Sequence, residues 1–162
     1  SWRRMTVDDL SAVSDLATRI HPSFPEDAEV FAERLRLYPE GCHVYVDGKS
    51  PTAYVLSHPW RALDAPPLNS LLGELPAGPA TYYIHDLALA GEARGTGVAA
   101  AIVDALAEHA SEAGYRTMSL VAVNGSARFW RRRGFARLDI AALADKLRSY
   151  GDEDAQFMVR TL

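Results

Sequence analysis

Apolar residues recur at helical spacing at Leu10, Val13, Leu16, Ala17 and Ile20, which predicts a helix with one buried face. Thr6 stands at its N-cap position, with Asp8 and Asp9 in the first turn, where the helix end is positive. His21-Pro22-Ser23-Phe24-Pro25 breaks the pattern. A second helix is expected from about Glu26 to Tyr38, with Val30, Phe31, Leu35 and Leu37 as its apolar positions. Cys42 to Val46 and Thr52 to Ser57 then read as strands around a turn at Asp47-Gly48, a hairpin signal.

From Pro59 to Pro79 the period is lost. This stretch holds five of the nine prolines and two glycines, so a long loop or insertion is expected. Thr81 to Ala90 reads as a strand rich in β-branched, aromatic and aliphatic residues. Val98, Ala101, Ile102, Ala105 and Leu106 mark an amphipathic helix that closes near Gly114. Met118 to Val123 predicts a strand, Ser126 to Arg133 a short helix, Phe135 to Leu138 a short strand, Ala141 to Ser149 a helix and Gln156 to Leu162 a last strand. Adjacent strand pairs besides helix crossovers give a mixed α/β (α+β) class, neither a pure doubly wound sheet nor a barrel.

The chain of 162 residues is 48% apolar and 23% charged, which suits one globular domain spanning 1–162 and excludes a low-complexity scaffold. A formal charge of −4 argues against a protein that lives on nucleic-acid phosphates. Cys42 is alone, so no intrachain disulfide forms. Its position beside His43 admits a thiol nucleophile or, more simply, a small buried residue. No stretch approaches about 18 apolar residues and the start lacks a signal-peptide apolar region, so a cytoplasmic protein without a membrane partner is expected. The five histidines show no ligand spacing, and no metal is expected.

The most informative stretch runs from Asp86 to Ala99: strand, glycine-containing turn, helix. Gly95 and Gly97 let backbone N–H groups converge, and the helix start behind them adds unsatisfied donors and a positive dipole end. Arg94 adds a full charge. Such a turn is either an anion site or a plain strand–helix connection beside a solvated arginine. A dinucleotide fingerprint lacks its third glycine, and the Gly-Lys-Ser/Thr of a triphosphate loop is missing.

Arg94-Gly95-Thr96-Gly97-Val98-Ala99 resembles the Arg/Gln-x-x-Gly-x-Gly/Ala signature of the GNAT superfamily of N-acetyltransferases. Asn124-Gly125-Ser126-Ala127-Arg128-Phe129-Trp130-Arg131-Arg132-Arg133-Gly134-Phe135 is similar to that family's second motif, an Asn-containing turn followed by Phe-Tyr-x-x-x-Gly-Phe. Arg4 to Leu10 looks like the family's opening. The likeness covers nearly the whole chain, leaving Pro59 to Pro79 as a variable insertion. It implies a mostly antiparallel central sheet with helices on both faces and a splayed parallel strand pair.

The resemblance also implies acetyl-CoA as acyl donor. Leu87, Ala88 and Leu89 would bond its pantetheine arm like an added strand. Arg94, Gly95, Thr96, Gly97, Val98 and Ala99 would cradle the pyrophosphate, and Asn124, Phe129 and Trp130 would line the other wall. The acceptor would be a small-molecule or peptide amine, with Phe24, Glu26 and Trp60 as candidate contacts, and the resemblance allows a homodimer. The alternative is a sensor or interaction module that binds an acyl-CoA without catalysis.

An alkylamine of pKa about 10.4 must lose a proton, at a cost of roughly 4.6 kcal/mol at pH 7. Family members often place a glutamate as base on the cofactor strand; here Ile84-His85-Asp86-Leu87 puts His85 there, as a base or as a hydrogen-bonded core histidine. In an ideal strand Asp86 points to the opposite face. Trp130 stands where the family usually has a tyrosine that protonates the leaving thiolate, a role indole cannot fill. A thiol of pKa about 8.5 already leaves fairly well. Ser126, solvent, Tyr82, Tyr83 and Tyr115 are the open substitutes.

Overall fold

The computed structural model describes residues 1–23 and 26–162. Among these residues seven strands form one sheet in the order β1-β2-β3-β4-β5-β7-β6. They are β1 (Trp2–Arg4), β2 (Cys42–Val46), β3 (Pro51–Trp60), β4 (Thr81–Leu89), β5 (Thr117–Ala122), β6 (Ala136–Arg137) and β7 (Gln156–Thr161). The helices are α1 (Leu10–Ile20), α2 (Ala28–Leu37), α3 (Val98–Glu112), α4 (Ala127–Arg132) and α5 (Ala144–Arg148). Neighbouring strands run antiparallel except β4 and β5, which are parallel.

The apolar stripes read from the sequence seat the helices. Val13 and Leu16 of α1 and Phe31 and Leu35 of α2 pack over Tyr54, Leu56 and Ala88 on one face of the sheet. Ile102, Val103 and Leu106 of α3, joined by Trp130 of α4, cover Val55, Tyr82, Ile84 and Leu120 on the other. The layered arrangement with a parallel pair at its centre is the one the resemblance implied.

Several boundaries differ for physical reasons. Trp2–Arg4 pairs with β2 as an edge strand, too short to show a period. The second helix begins at Ala28, after an extended Asp27, so Glu26 lies outside it and can turn toward the sheet. β3 runs on to Trp60, because His58 and Trp60 pack against Tyr83 on β4. The short strand expected from Phe135 shrinks to two residues.

One irregularity shapes the centre of the sheet. Leu56 pairs with Asp86 while Ser57 pairs with Ile84, so His85 has no residue opposite it. This extra residue is a β-bulge, which bends its strand and changes where side chains aim. Ile84 and Leu87 face α3, whereas His85 and Asp86 both reach partners on the α1–α2 side. The expected alternation of His85 and Asp86 is therefore overturned. Beyond Ile84 the parallel pairing stops: Tyr82, Tyr83 and Ile84 match Met118, Ser119 and Leu120, and then the strands part.

Candidate functional site

Where β4 and β5 separate, a cleft of about 590 Å³ opens between them. That size falls in the usual range for small-molecule sites, about 300–1,000 Å³. One wall is β4 from Ile84 to Leu89; the other is Leu120, Val121 and Val123 with Phe129 and Trp130 of α4. The edge of β4 that lost its partner at Ile84 borders this space, leaving main-chain groups that an extended ligand could engage as a strand would.

At the C-terminal end of β4 the chain turns sharply into α3. Gly95 and Gly97 have φ of 72° and 84°, left-handed values that a side chain would strain. Arg94, Gly95, Gly97 and Ala99 line the cleft; Thr96 and Val98 sit in the same turn off its wall. The Thr96 hydroxyl braces the turn by donating to the Ala93 carbonyl at 2.6 Å, and the Val98 carbonyl accepts from the Trp2 indole at 2.9 Å. Arg94 is exposed, its Nε donating to the Leu89 carbonyl at 3.3 Å. The first turn of the 15-residue α3 adds its dipole to a site that carries positive charge and open donors.

On the facing wall, Asn124 and Gly125 also take left-handed φ, 56° and 71°, to bring β5 into α4. The Asn124 N–H donates to Asp152 Oδ2 at 2.7 Å, and the Ser126 hydroxyl donates to the Val123 carbonyl at 2.6 Å. Asn124 and Ser126 both line the cleft. Trp130 is 6% exposed and packs edge-on against Phe129 and Phe135, with centroids 5.0 and 5.4 Å away.

Around His85 the character changes from main chain to side chains. His85 Nε2 lies 3.0 Å from both oxygens of Glu26. Both side chains are nearly sealed from water, at 1% and 5% exposure. Burial opposes the Glu26 charge, but the adjoining His85 outweighs it and holds the carboxyl below its ordinary pKa. The bulge places Asp86 beside it. There Asp86 accepts a 2.6 Å bond from the Tyr54 hydroxyl and faces His21 Nε2 at 3.5 Å. Burial works against a charged His21, yet the Asp86 carboxylate raises its pKa above the ordinary histidine value. Two histidine–carboxylate pairs thus stand side by side. Arg94, at the far turn, is the one lysine or arginine on the cleft wall among the described residues.

Of the candidate acceptor contacts, Glu26 lines the cleft, Phe24 lies outside the described residues, and Trp60 does not reach it. Trp60 is 4% exposed and packs with Tyr83, Leu143 and Phe157. Cys42 is buried away from the cleft, with its thiol pushed up to about 12 by burial, so it is a core residue and no nucleophile. Tyr82 and Tyr83 are sealed in the core and Tyr115 packs against Tyr82, leaving Ser126 as the one of the named hydroxyls on the cleft wall. Tyr150 and His21 also line the site. Both fall in segments to which the resemblance assigns acceptor specificity, residues 21–27 and the chain after Asp139, but no signal in the sequence singled out either residue.

A family model described as the acetyltransferase (GNAT) family matches residues 10–135. No curated protein sequence matches the chain. Among solved structures, a GNAT-like decarboxylase, GphF, in complex with isobutyryl-CoA superposes with a TM-score of 0.82 at 14% identity, over 99% of this chain and 98% of that one. The NatC complex bound to Gag peptide and CoA matches at 0.73 and 19%, over 100% and 98%. The ribosomal-protein-S18-alanine N-acetyltransferase from Escherichia coli matches at 0.67 and 16%, over 99% and 92%. Identities this low speak to the fold alone. The family match spans both glycine turns and the strands that part between them, and this chain belongs to the GNAT acetyltransferase family.

Proposed function

We propose that the protein is an N-acetyltransferase that moves an acetyl group from acetyl-CoA to a primary amine by direct transfer in a ternary complex. The observation that carries this reading is the cleft itself: an unpartnered edge of β4 running from a buried histidine to a left-handed glycine turn with an arginine at its tip. An acyl-CoA has the matching parts in the matching order, a thioester, an amide-bearing arm and a pyrophosphate. Neighbours of the same fold are complexes with isobutyryl-CoA or CoA.

The main chain of Leu87, Ala88 and Leu89 bonds the pantetheine arm, and an N–H of Leu87 or Leu89 polarises the thioester carbonyl. The turn from Arg94 to Ala99 holds the pyrophosphate. Asn124, Phe129 and Trp130 form the opposite wall, with Trp130 supplying packing rather than a proton. His85 takes a proton from the acceptor nitrogen as the C–N bond forms and the C–S bond breaks. Ser126 stands on the wall opposite β4 as the hydroxyl nearest in role to the missing tyrosine; its proton rests on the Val123 carbonyl, and the hydroxyl must rotate from there to reach the departing sulfur. The proton held by His85 returns to the thiolate through solvent, so the histidine ends neutral and the sulfur ends as a thiol.

The acidic surroundings of His85 suit an acceptor that arrives as an ammonium ion, gives its first proton to solvent and, as the neutral amine, gives the second to His85. Both small amines and peptide N-termini meet that description, and the Gag-peptide complex of a structural neighbour makes peptides worth including. Thermal unfolding with acetyl-CoA at about 100 times its Kd should gain about 2.7 kcal/mol, or a shift of about 5–10 °C, against little change with ATP. Thiol release is then followed over a panel of amines and peptides. A selective shift with no thiol release from any amine would instead favour a non-catalytic acyl-CoA sensor.

A further inference from the structure

The proline-rich stretch between β3 and β4 has no period of its own, and the resemblance gives it only a place among the segments that set the acceptor. In the structure it is a strap tied down on both sides. Toward α2, Arg34 donates to the Ser70 carbonyl at 3.0 Å, and Glu33 accepts from the N–H groups of Leu72 and Gly73 at 2.6 and 2.9 Å. Toward α5, Lys146 bonds Asp64 at 2.6 Å, Ser149 accepts from the Leu68 N–H at 3.1 Å, and the Tyr150 hydroxyl donates to the Pro66 carbonyl at 2.9 Å.

At its centre sits Asn69, with a left-handed φ of 56°. Its N–H donates to Glu26 Oε2 at 3.1 Å, and its side-chain oxygen accepts from the Asp27 N–H at 2.7 Å. The two bonds bracket Glu26 from front and back. The same carboxylate is the one that meets His85 Nε2 with both oxygens.

A carboxylate only accepts hydrogen bonds, so Nε2 must carry the proton, and the neutral imidazole then has its lone pair on Nδ1. Nδ1 is buried with no hydrogen-bond partner among the described residues, on a residue that lines the cleft. We propose that Glu26, clamped by Asn69 of the strap, is the positioning residue that holds His85 in the Nε2–H form and leaves Nδ1 as the atom that receives the acceptor's proton. This rests on the reading of His85 as the base. It changes the role expected of Glu26, whose oxygens are spent on His85 and Asn69 rather than on an acceptor. The strap thereby orders the base through Glu26.

The imidazolium formed in transfer gains a negative neighbour in Glu26. The other groups around the ring are Tyr83 and Asp86 on its own strand, His58 on β3, His21 beside Asp86, and Arg34 of α2 behind Glu26. Glu26→Gln keeps the shape and an acceptor oxygen but removes the charge. It should lower kcat by about 10- to 100-fold and, because an amide can also donate to Nε2, let the Nδ1–H tautomer appear. Thermal stabilisation by acetyl-CoA should stay as in the parent. Asn69→Gly, which suits the left-handed backbone, should cost about two- to tenfold in kcat.

Imidazole 15N NMR on the protein without ligand reads the tautomer directly and needs no turnover. Where the ring is neutral, the Nε2–H form is the expected result. The Nδ1–H form, or a Glu26→Gln variant that keeps both the parent rate and the parent tautomer, would overturn the proposal. If His85→Gln left the acetylation rate unchanged, the base reading itself would fail, even with the tautomer as expected.

Discussion

The two ends of the cleft are built by different means. The turn from Arg94 to Ala99 is contiguous chain, made of main-chain N–H groups, two left-handed glycines and a helix start. The end around His85 is assembled from side chains far apart in sequence: Glu26 is 59 residues from His85, and Asn69 is 43 residues from Glu26. A site of backbone groups accepts any sequence that can make the turn, so it suits a donor common to a whole family. A site of side chains depends on every segment that supplies one, so it is where members of a family can diverge. Damage at the first end should therefore weaken donor binding; damage at the second should slow transfer while the donor still binds.

The sharpest test is His85→Gln. It should lower kcat by about 10²- to 10⁴-fold while thermal stabilisation by acetyl-CoA persists; a parallel loss of both would erase the division between the ends. Next is Gly97→Val, which forces a β-branched residue to φ near 84°. Strain of about 1–3 kcal/mol should appear as roughly 5- to 150-fold weaker donor binding, with kcat at saturating donor nearly kept. Arg94→Ala is milder, because the residue is exposed and aids a site that backbone already forms. A loss of about three- to tenfold in donor affinity is expected, shrinking further as salt is raised.

The His85 end should also leave its mark on stability against pH. Burial pushes His58, which packs against Tyr83 near His85, down to about 3. The unfolded chain binds that proton near pH 6.5, so stability should fall as pH drops from about 6.5 toward about 3. His58→Phe should flatten this fall in urea melts across the range, whereas Arg94→Ala should not. The smallest effect belongs to Cys42→Ala. With the thiol buried off the cleft, turnover should stay within about twofold and only stability should drop, by about 1 kcal/mol or more.

Much of the first end was legible in a single sequence because its requirement is local. Positive φ at Gly95 and Gly97 needs glycine, and the apolar period of α3 sets the helix start at the next residue. The same locality made β2, β4 and β7 readable within a residue or two, while α1 begins at Leu10, after a 3-10 turn over Val7–Asp9. The misreadings share another cause. Trp2–Arg4 is a strand only because β2 offers it an edge, and β3 reaches Trp60 only because β4 sets Tyr83 across from His58 and Thr81 across from Trp60. Trp60 then belongs to the core and not to an acceptor surface.

The amino-acid sequence by itself determined most of the elements and the glycine turn, which follow from periods of 2 and 3.6 and from residues that the backbone geometry demands, and its two motifs carried the resemblance that implied the layers and the family. Only the tertiary structure decided what surrounds His85. One unpaired residue in β4 turned His85 and Asp86 to the same face, against the alternation that a regular strand imposes. A strap anchored on α2 and α5 then carried Asn69 to Glu26, and Glu26 to the imidazole. Such contacts depend on register and on long-range closure of the chain, quantities that no local run of residues encodes.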